Sequence, residues 1–155
     1  MLLNYYTSFL EKHLQGKSAK LINKDGTTKA FSNLSDQSNV ALPMLAHQYG
    51  SIIVGSDNTP ETGDSYYLKK EITSGIYVAA ARSVVDNADG SHSSIVIANC
   101  TNTSSSPITI GEIGLLVSIS TLSYNSFLLD RTPLGTPLTI QPGEVGRIVY
   151  TITMS

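Results

Sequence analysis

Apolar residues occur in short runs along most of this chain, and Gly, Pro, Asn, Asp and Ser separate the runs. The runs recur roughly every 8–12 residues and contain no alternating strand–helix–strand unit, a pattern that predicts an all-β chain of about eight or nine strands. The architecture favoured is an antiparallel β-sandwich, immunoglobulin-like or jelly-roll-like, with a closed barrel as the alternative.

The clearest hairpin lies in the middle of the chain. Residues 76–85 and 94–101 are apolar runs on either side of the polar stretch 86–92. Both faces of this pair are mostly apolar, so we expect it to be central in the fold and covered on both sides. The only cysteine, Cys100, lies in the second run and is predicted to be a buried, inert thiol.

The C-terminal third, residues 108–154, shows the strongest β-pattern. Alternate apolar positions from Ile113 onward share one sheet face. Further strands are predicted at 127–131 and 138–140, and a long final strand at the C-terminus should pair with an earlier strand. We expect this third to form one half of the sandwich and residues 76–101 to form the other half.

Two tight turns are marked by glycine. The pair Asp25-Gly26 lies between two short β-runs and predicts a hairpin. In the segment 141–144, Gly143 occupies the third position after a proline, which indicates a type II turn.

The N-terminus differs from the rest of the chain, because residues 2–15 have the period of an amphipathic helix. We therefore divide the chain into a helix, residues 1–16, and a single β-domain, residues 17–155. The helix is expected to dock on a neighbouring subunit or to complete the chain's own core. Its predicted interface residues are Leu3, Tyr6, Phe9, Leu10 and Leu14.

Charge and hydropathy exclude several classes of partner. Charged residues make up 14% of the chain, below the roughly 25% of an average soluble domain, and the net charge is −2. The basic residues are scattered rather than clustered on one face, so no nucleic-acid partner is expected. No apolar run reaches the roughly 20 residues that cross a bilayer, so no membrane partner is expected either.

Candidate chemistry is sparse. The segment 55–67 is a polar loop in which Asp57, Glu61 and Asp64 offer oxygen ligands for calcium, although an acidic surface loop without metal is the simpler interpretation. The chain contains no nucleophile elbow, no phosphate-binding glycine loop and no His-Glu-x-x-His zinc motif. We therefore expect no enzymatic activity, no catalytic or metal-binding residues, no cofactor and no small-molecule substrate.

Four segments together resemble a known group of proteins. They are VGSDNTPETGDSYYL (54–68), GEIGLL (111–116), FLLDRT (127–132) and TPLTIQPGEVGRIVYTIT (136–153). As a set they are similar to uncharacterised virion proteins of tailed bacteriophages, with one departure, because Ser65 separates Asp64 from Tyr66.

This resemblance implies a structural virion protein, made in the host bacterial cytoplasm and used in many copies in a tail, neck or capsid-attached assembly. Its partners would be copies of itself and other virion proteins. The alternative is a receptor- or glycan-binding module of a phage fibre, with its site in the loops 56–67, 86–92 or 121–126.

Overall fold

The computed structural model describes residues 19–31, 50–119 and 125–154. Every regular element in these ranges is a β-strand, so the all-β prediction is confirmed for this part of the chain. The strands are β1 (Ala19–Ile22), β2 (Thr28–Phe31), β3 (Gly50–Gly55), β4 (Ile76–Asp86), β5 (His92–Asn102), β6 (Ile108–Ile119), β7 (Asn125–Ile140) and β8 (Val145–Met154). The predicted N-terminal helix and its interface residues, Leu3, Tyr6, Phe9, Leu10 and Leu14, lie outside the described residues.

Six of these strands form two antiparallel sheets. The first sheet has the order β3-β6-β7 and the second sheet has the order β4-β5-β8. The assignment of residues 108–154 to one half of the fold was therefore wrong, because β8 pairs with β5 of the other sheet. Alternation along a strand shows which residues share a face, but it does not show which strand is the neighbour.

The two sheets share one apolar core between their inner faces. Its members come from both sheets: Ile52, Val54, Ile110, Ile113, Leu115, Phe127, Leu129 and Ile140 from the first, and Val96, Ala98, Cys100 and Ile148 from the second. Asp130 of β7 accepts a hydrogen bond from Tyr150 of β8, which also links the sheets. The predicted burial of Cys100 is confirmed, and burial raises the pKa of its thiol.

The predicted central hairpin exists, but its position in the sheet differs from the expectation. β4 pairs with β5 over its whole length, and β5 is the middle strand. Among the described residues β4 is an edge strand, and side chains on its outer face, such as Tyr77, are exposed. The apolar residues of β4 therefore include an outer face that no described residue covers.

The two short strands predicted at 127–131 and 138–140 form one long strand, β7. Its register against β6 shifts between Ile110 and Glu112 and again between Leu115 and Leu116. The first of these shifts is a bulge of β7 between Pro133 and Leu138, which contains Pro137, and β7 is an edge strand of the first sheet. Proline is tolerated at such an edge because it lacks the N–H that a central strand needs.

Both predicted glycine turns are confirmed. Gly26 and Gly143 have φ of 84° and 79°, in the left-handed region that glycine adopts without steric cost. The Lys24 N–H donates to the Ser126 carbonyl (2.8 Å), and its ammonium binds Glu71 (2.9 Å). These contacts attach the β1–β2 hairpin to the first sheet.

Candidate functional site: the Arg131 cluster and the 56–70 loop

The 56–70 loop lies over the outer face of the first sheet. Leu68, which is buried, packs against Leu128 and Ile53 in a second apolar cluster. Gly114 of β6 lies beneath them, and a Cβ there would come within 2.8–2.9 Å of all three side chains. A glycine at this position is therefore what allows the loop to approach the sheet.

A buried ion pair lies beside this apolar contact. Glu112 of β6 and Arg131 of β7 are joined by Nε–H···Oε2 at 2.5 Å, and both residues are almost wholly buried. The Glu112 carboxylate also accepts the backbone N–H groups of Lys69 (3.2 Å) and Lys70 (2.7 Å). A Cβ at Gly55 would lie 2.4 Å from Glu112 Oε1, so this glycine leaves the space that the carboxylate occupies.

The remaining guanidinium nitrogens of Arg131 bind the start of the loop. Nη1 donates to the Thr59 carbonyl and to Glu61 Oε2, each at 3.1 Å. Nη2 donates to Asp57 Oδ1 at 3.1 Å. We call Asp57, Glu61, Glu112 and Arg131 the Arg131 cluster, because every carboxylate in it contacts that one guanidinium.

Glu61 connects Arg131 to the next turn of the loop. Its second oxygen, Oε1, accepts the N–H groups of Thr62 (2.9 Å) and Gly63 (2.8 Å) and the hydroxyl of Ser65 (2.9 Å). Gly63 adopts φ of 89°, which lets this turn close around the carboxylate. The conformation of residues 62–65 thus depends on a side chain that Arg131 holds in place.

The hydrogen bonds of the cluster favour its charged form. Those from the Thr59 hydroxyl and N–H lower the pKa of Asp57, and Arg131 and Lys69 lower it further. Burial opposes ionisation of Glu61, but hydrogen bonds from Gly63, Ser65 and Arg131 outweigh burial and lower its pKa. Burial likewise opposes the charge on Arg131, but the carboxylates of Glu112 and Glu61 raise its pKa.

Beyond the cluster, the loop forms a shallow cavity of about 210 Å³. It is lined by Thr62, Asp64, Ser65, Tyr66, Tyr67 and Lys69. The rings of Tyr66 and Tyr67 lie 4.8 Å apart between centroids and are tilted by 58°. The cavity therefore combines aromatic surface with hydroxyl, carboxylate and ammonium groups.

The structure brings together two of the three carboxylates considered for calcium. Asp57 and Glu61 converge, but on the guanidinium of Arg131. Within the residues described, no group of three or more His, Cys, Asp or Glu side chains is arranged to hold a metal ion. The other acidic loop, 86–92, is a turn in which Asp89 accepts the N–H and hydroxyl of Ser91.

Sequence reasoning missed Glu112 and Arg131 as partners. The available signal was a charged residue within each of two apolar strands: Glu112 in GEIGLL, and Arg131, beside Asp130, in FLLDRT. A charge in a buried strand needs a partner, since an unpaired charge is costly to bury. In these two segments Glu112 and Arg131 bind the 56–70 loop, and Gly114 makes room for it.

Comparisons with known proteins found no relative of this chain. No protein-family model matches the chain, no curated protein matches it, and no solved structure matches it. Within the described residues, no helix is long and apolar enough to span a membrane. Function is therefore inferred from the geometry and from the resemblance of the four segments.

Proposed function

We propose that this chain is a structural protein of a bacteriophage virion. It acts as a multi-copy building block of a tail, neck or capsid-attached assembly, through contacts with copies of itself and with other virion proteins. The two facing sheets form a β-sandwich of immunoglobulin-like or jelly-roll-like type. Such a sandwich suits this role, because the outer face of its second sheet is available to a neighbour, whereas the 56–70 loop lies over the outer face of the first.

The observation that supports the proposal best is the outer face of the second sheet. Tyr77, Val145 and Val149 are 64%, 56% and 56% exposed, and all three lie on this face. Tyr77 and Val145 lie in one cross-strand row through Thr101, so the exposed side chains cross all three strands. Exposed apolar side chains gathered on one sheet face are typical of protein–protein interaction sites.

Polar residues are interspersed on the same face. Asn99 and Arg147 form a cross-strand row that lies between the row of Tyr77 and Val145 and the position of Val149. A surface that mixes aromatic, aliphatic and Arg side chains has the composition of an interface rather than of a core. The Tyr side chain suits such a surface, since it combines large area with a polar tip.

The mass of the full chain in solution tests the proposal. We expect an oligomer by light scattering, and a shift toward monomer in the Val149→Lys variant, because a buried lysine at an interface would lack a partner. Thr136→Lys, which adds the same charge at an exposed position on the first sheet, is the control and should keep the wild-type mass.

A second measurement concerns the predicted helix. In the full-length chain, Phe9→Lys with Leu10→Lys should leave the thermal unfolding transition near its wild-type temperature and reduce incorporation into particles. A chain that stays monomeric at every concentration and is missing from purified virions would refute the proposed function.

A further inference from the structure

The 56–70 loop is held more firmly than a connection between two strands requires. Arg131, almost wholly buried, binds the loop through three contacts, and Glu112 binds it through two backbone N–H groups. Buried ion pairs are weak sources of net stability, because desolvation offsets most of the attraction, but they can specify one conformation. Here the specified element is a surface loop.

The cavity lies on the part of the loop between the two anchored ends. Glu61 holds Thr62 and Ser65 on one side, and Glu112 holds the backbone of Lys69 on the other. The exposed side chains between these anchors, such as Asp64 and Tyr67, therefore extend from a fixed frame. A binding site whose groups are already positioned loses less conformational entropy when a ligand binds.

We propose that this cavity binds one sugar ring, through Tyr66 and Tyr67 together with Asp64 and Lys69. A pyranose has an apolar C–H face and a rim of hydroxyls. The tyrosine rings match the apolar face, and the carboxylate and ammonium groups match the hydroxyls. The site is independent of the assembly face, which lies on the other sheet.

Size and charge narrow the ligand class. At about 210 Å³ the cavity is smaller than the roughly 300–1,000 Å³ of pockets for drug-sized ligands, so it fits one ring. The loop and the cluster carry four carboxylates, those of Asp57, Glu61, Asp64 and Glu112, against the three cations Arg131, Lys69 and Lys70. This excess of negative charge disfavours phosphates, nucleotides and acidic sugars, and it favours a neutral sugar.

Nuclear magnetic resonance on the full chain with labelled tyrosine rings tests the site. The probes are glucose, galactose, mannose and N-acetylglucosamine, each titrated at millimolar concentration. We expect at least one sugar to shift the Tyr66 and Tyr67 signals in a saturable way and to leave Tyr77 unshifted. The inference is overturned if none of the four sugars shifts the two loop tyrosines.

Substitutions then separate the cavity from other surfaces. Tyr67→Ala and Asp64→Asn should each weaken binding about tenfold, whereas Tyr77→Ala on the second sheet should not change it. Equal affinity in the wild type and in both loop variants would overturn the inference.

A matched pair of conservative variants tests the role of the frame. Glu61→Gln keeps the side-chain size and leaves the cavity residues intact, but it weakens the contact with Arg131. Binding should fall several-fold while the unfolding temperature changes little. Glu144→Gln, in an exposed turn, is the control. If Glu61→Gln binds as well as the control, the frame has no role in binding. Neither outcome depends on oligomerisation, so this inference and the proposed function can fail separately.

Discussion

The first sheet carries the 56–70 loop over its outer face, whereas the outer face of the second sheet is exposed in the part of the chain that is described. On the first sheet, Leu128 is fully buried under Leu68. On the second, Val149 is 56% exposed. Apolar residues thus face outward on both sheets, but on only one of them does a described segment of the same chain cover them.

The difference shows how similar strand patterns can serve different purposes. Glycines and a buried ion pair on the first sheet make room for a loop and bind it. The second sheet has no such arrangement among the described residues on its outer face, and its apolar side chains are available to another molecule. Apolar residues on both faces of a strand therefore do not by themselves identify a strand covered within its own chain.

The largest expected effect is removal of Arg131. Arg131→Met leaves Glu112 buried without its guanidinium partner, which should lower the free energy of unfolding by about 3–5 kcal/mol. Urea denaturation measures the change. Arg147→Met, at an exposed arginine of the second sheet, is the control and should stay within about 0.5 kcal/mol of wild type. A loss in Arg131→Met as small as in the control would show that the cluster contributes little.

The outer faces can be compared directly by truncating one apolar residue on each. Leu128→Ala should cost about 2–5 kcal/mol, because it leaves a cavity beneath Leu68. Val149→Ala should change stability by no more than about 0.5 kcal/mol in a dilute sample where the chain is monomeric. Thermal unfolding of both variants checks this. Equal losses would mean that the second outer face is also covered within the chain.

Two glycines in neighbouring strands give a smaller contrast. Gly114→Ala would place a Cβ within 2.9 Å of Leu68, so the loop must shift, at a cost of about 1–3 kcal/mol. Gly135→Ala in β7 meets nothing within 4 Å and should be close to neutral. Denaturation gives the stability change, and limited proteolysis reports whether the 56–70 loop has loosened in Gly114→Ala alone.

The smallest effect is a pH dependence confined to the loop. Folding lowers the pKa of Asp57 and of Glu61 from ordinary values of 3.8 and 4.5. Their contribution to stability is therefore complete above these values and is lost as the pH falls below them. Amide signals of Gly63 and Ser65, followed from about pH 6 to about pH 3, should change before those of β5.

Glu61→Gln isolates the origin of that transition. The glutamine does not ionise, so the early change at Gly63 and Ser65 should be reduced or absent. An unchanged transition in this variant would assign the acid response to another group.

Much of the local structure was predictable because short-range contacts determine it. The Asp25-Gly26 hairpin, the turn at Gly143 and the β4–β5 hairpin all depend on residues close in sequence. Backbone preferences and alternation act over a few residues, so the amino-acid order is sufficient to predict them.

The candidate site was predictable only in part. The acidic residues of the loop were recognisable, and Asp57 and Glu61 do converge. Their partner was not recognised, since Arg131 lies 74 and 70 positions away from them in sequence. A Glu in one apolar strand and an Arg, beside an Asp, in another indicate a buried pair, but they do not indicate which loop the pair binds.

The sequence by itself determined the β-class, the main turns and the residues that share a strand face, because each of these follows from local backbone chemistry. The tertiary structure decided that β8 joins the second sheet, that β4 lies at its edge and that the 56–70 loop is bound by Arg131. Those features depend on which distant surfaces meet. Burial of apolar area is favourable but non-directional, so it does not by itself specify which strands or loops become neighbours. That choice is made only in the assembled fold.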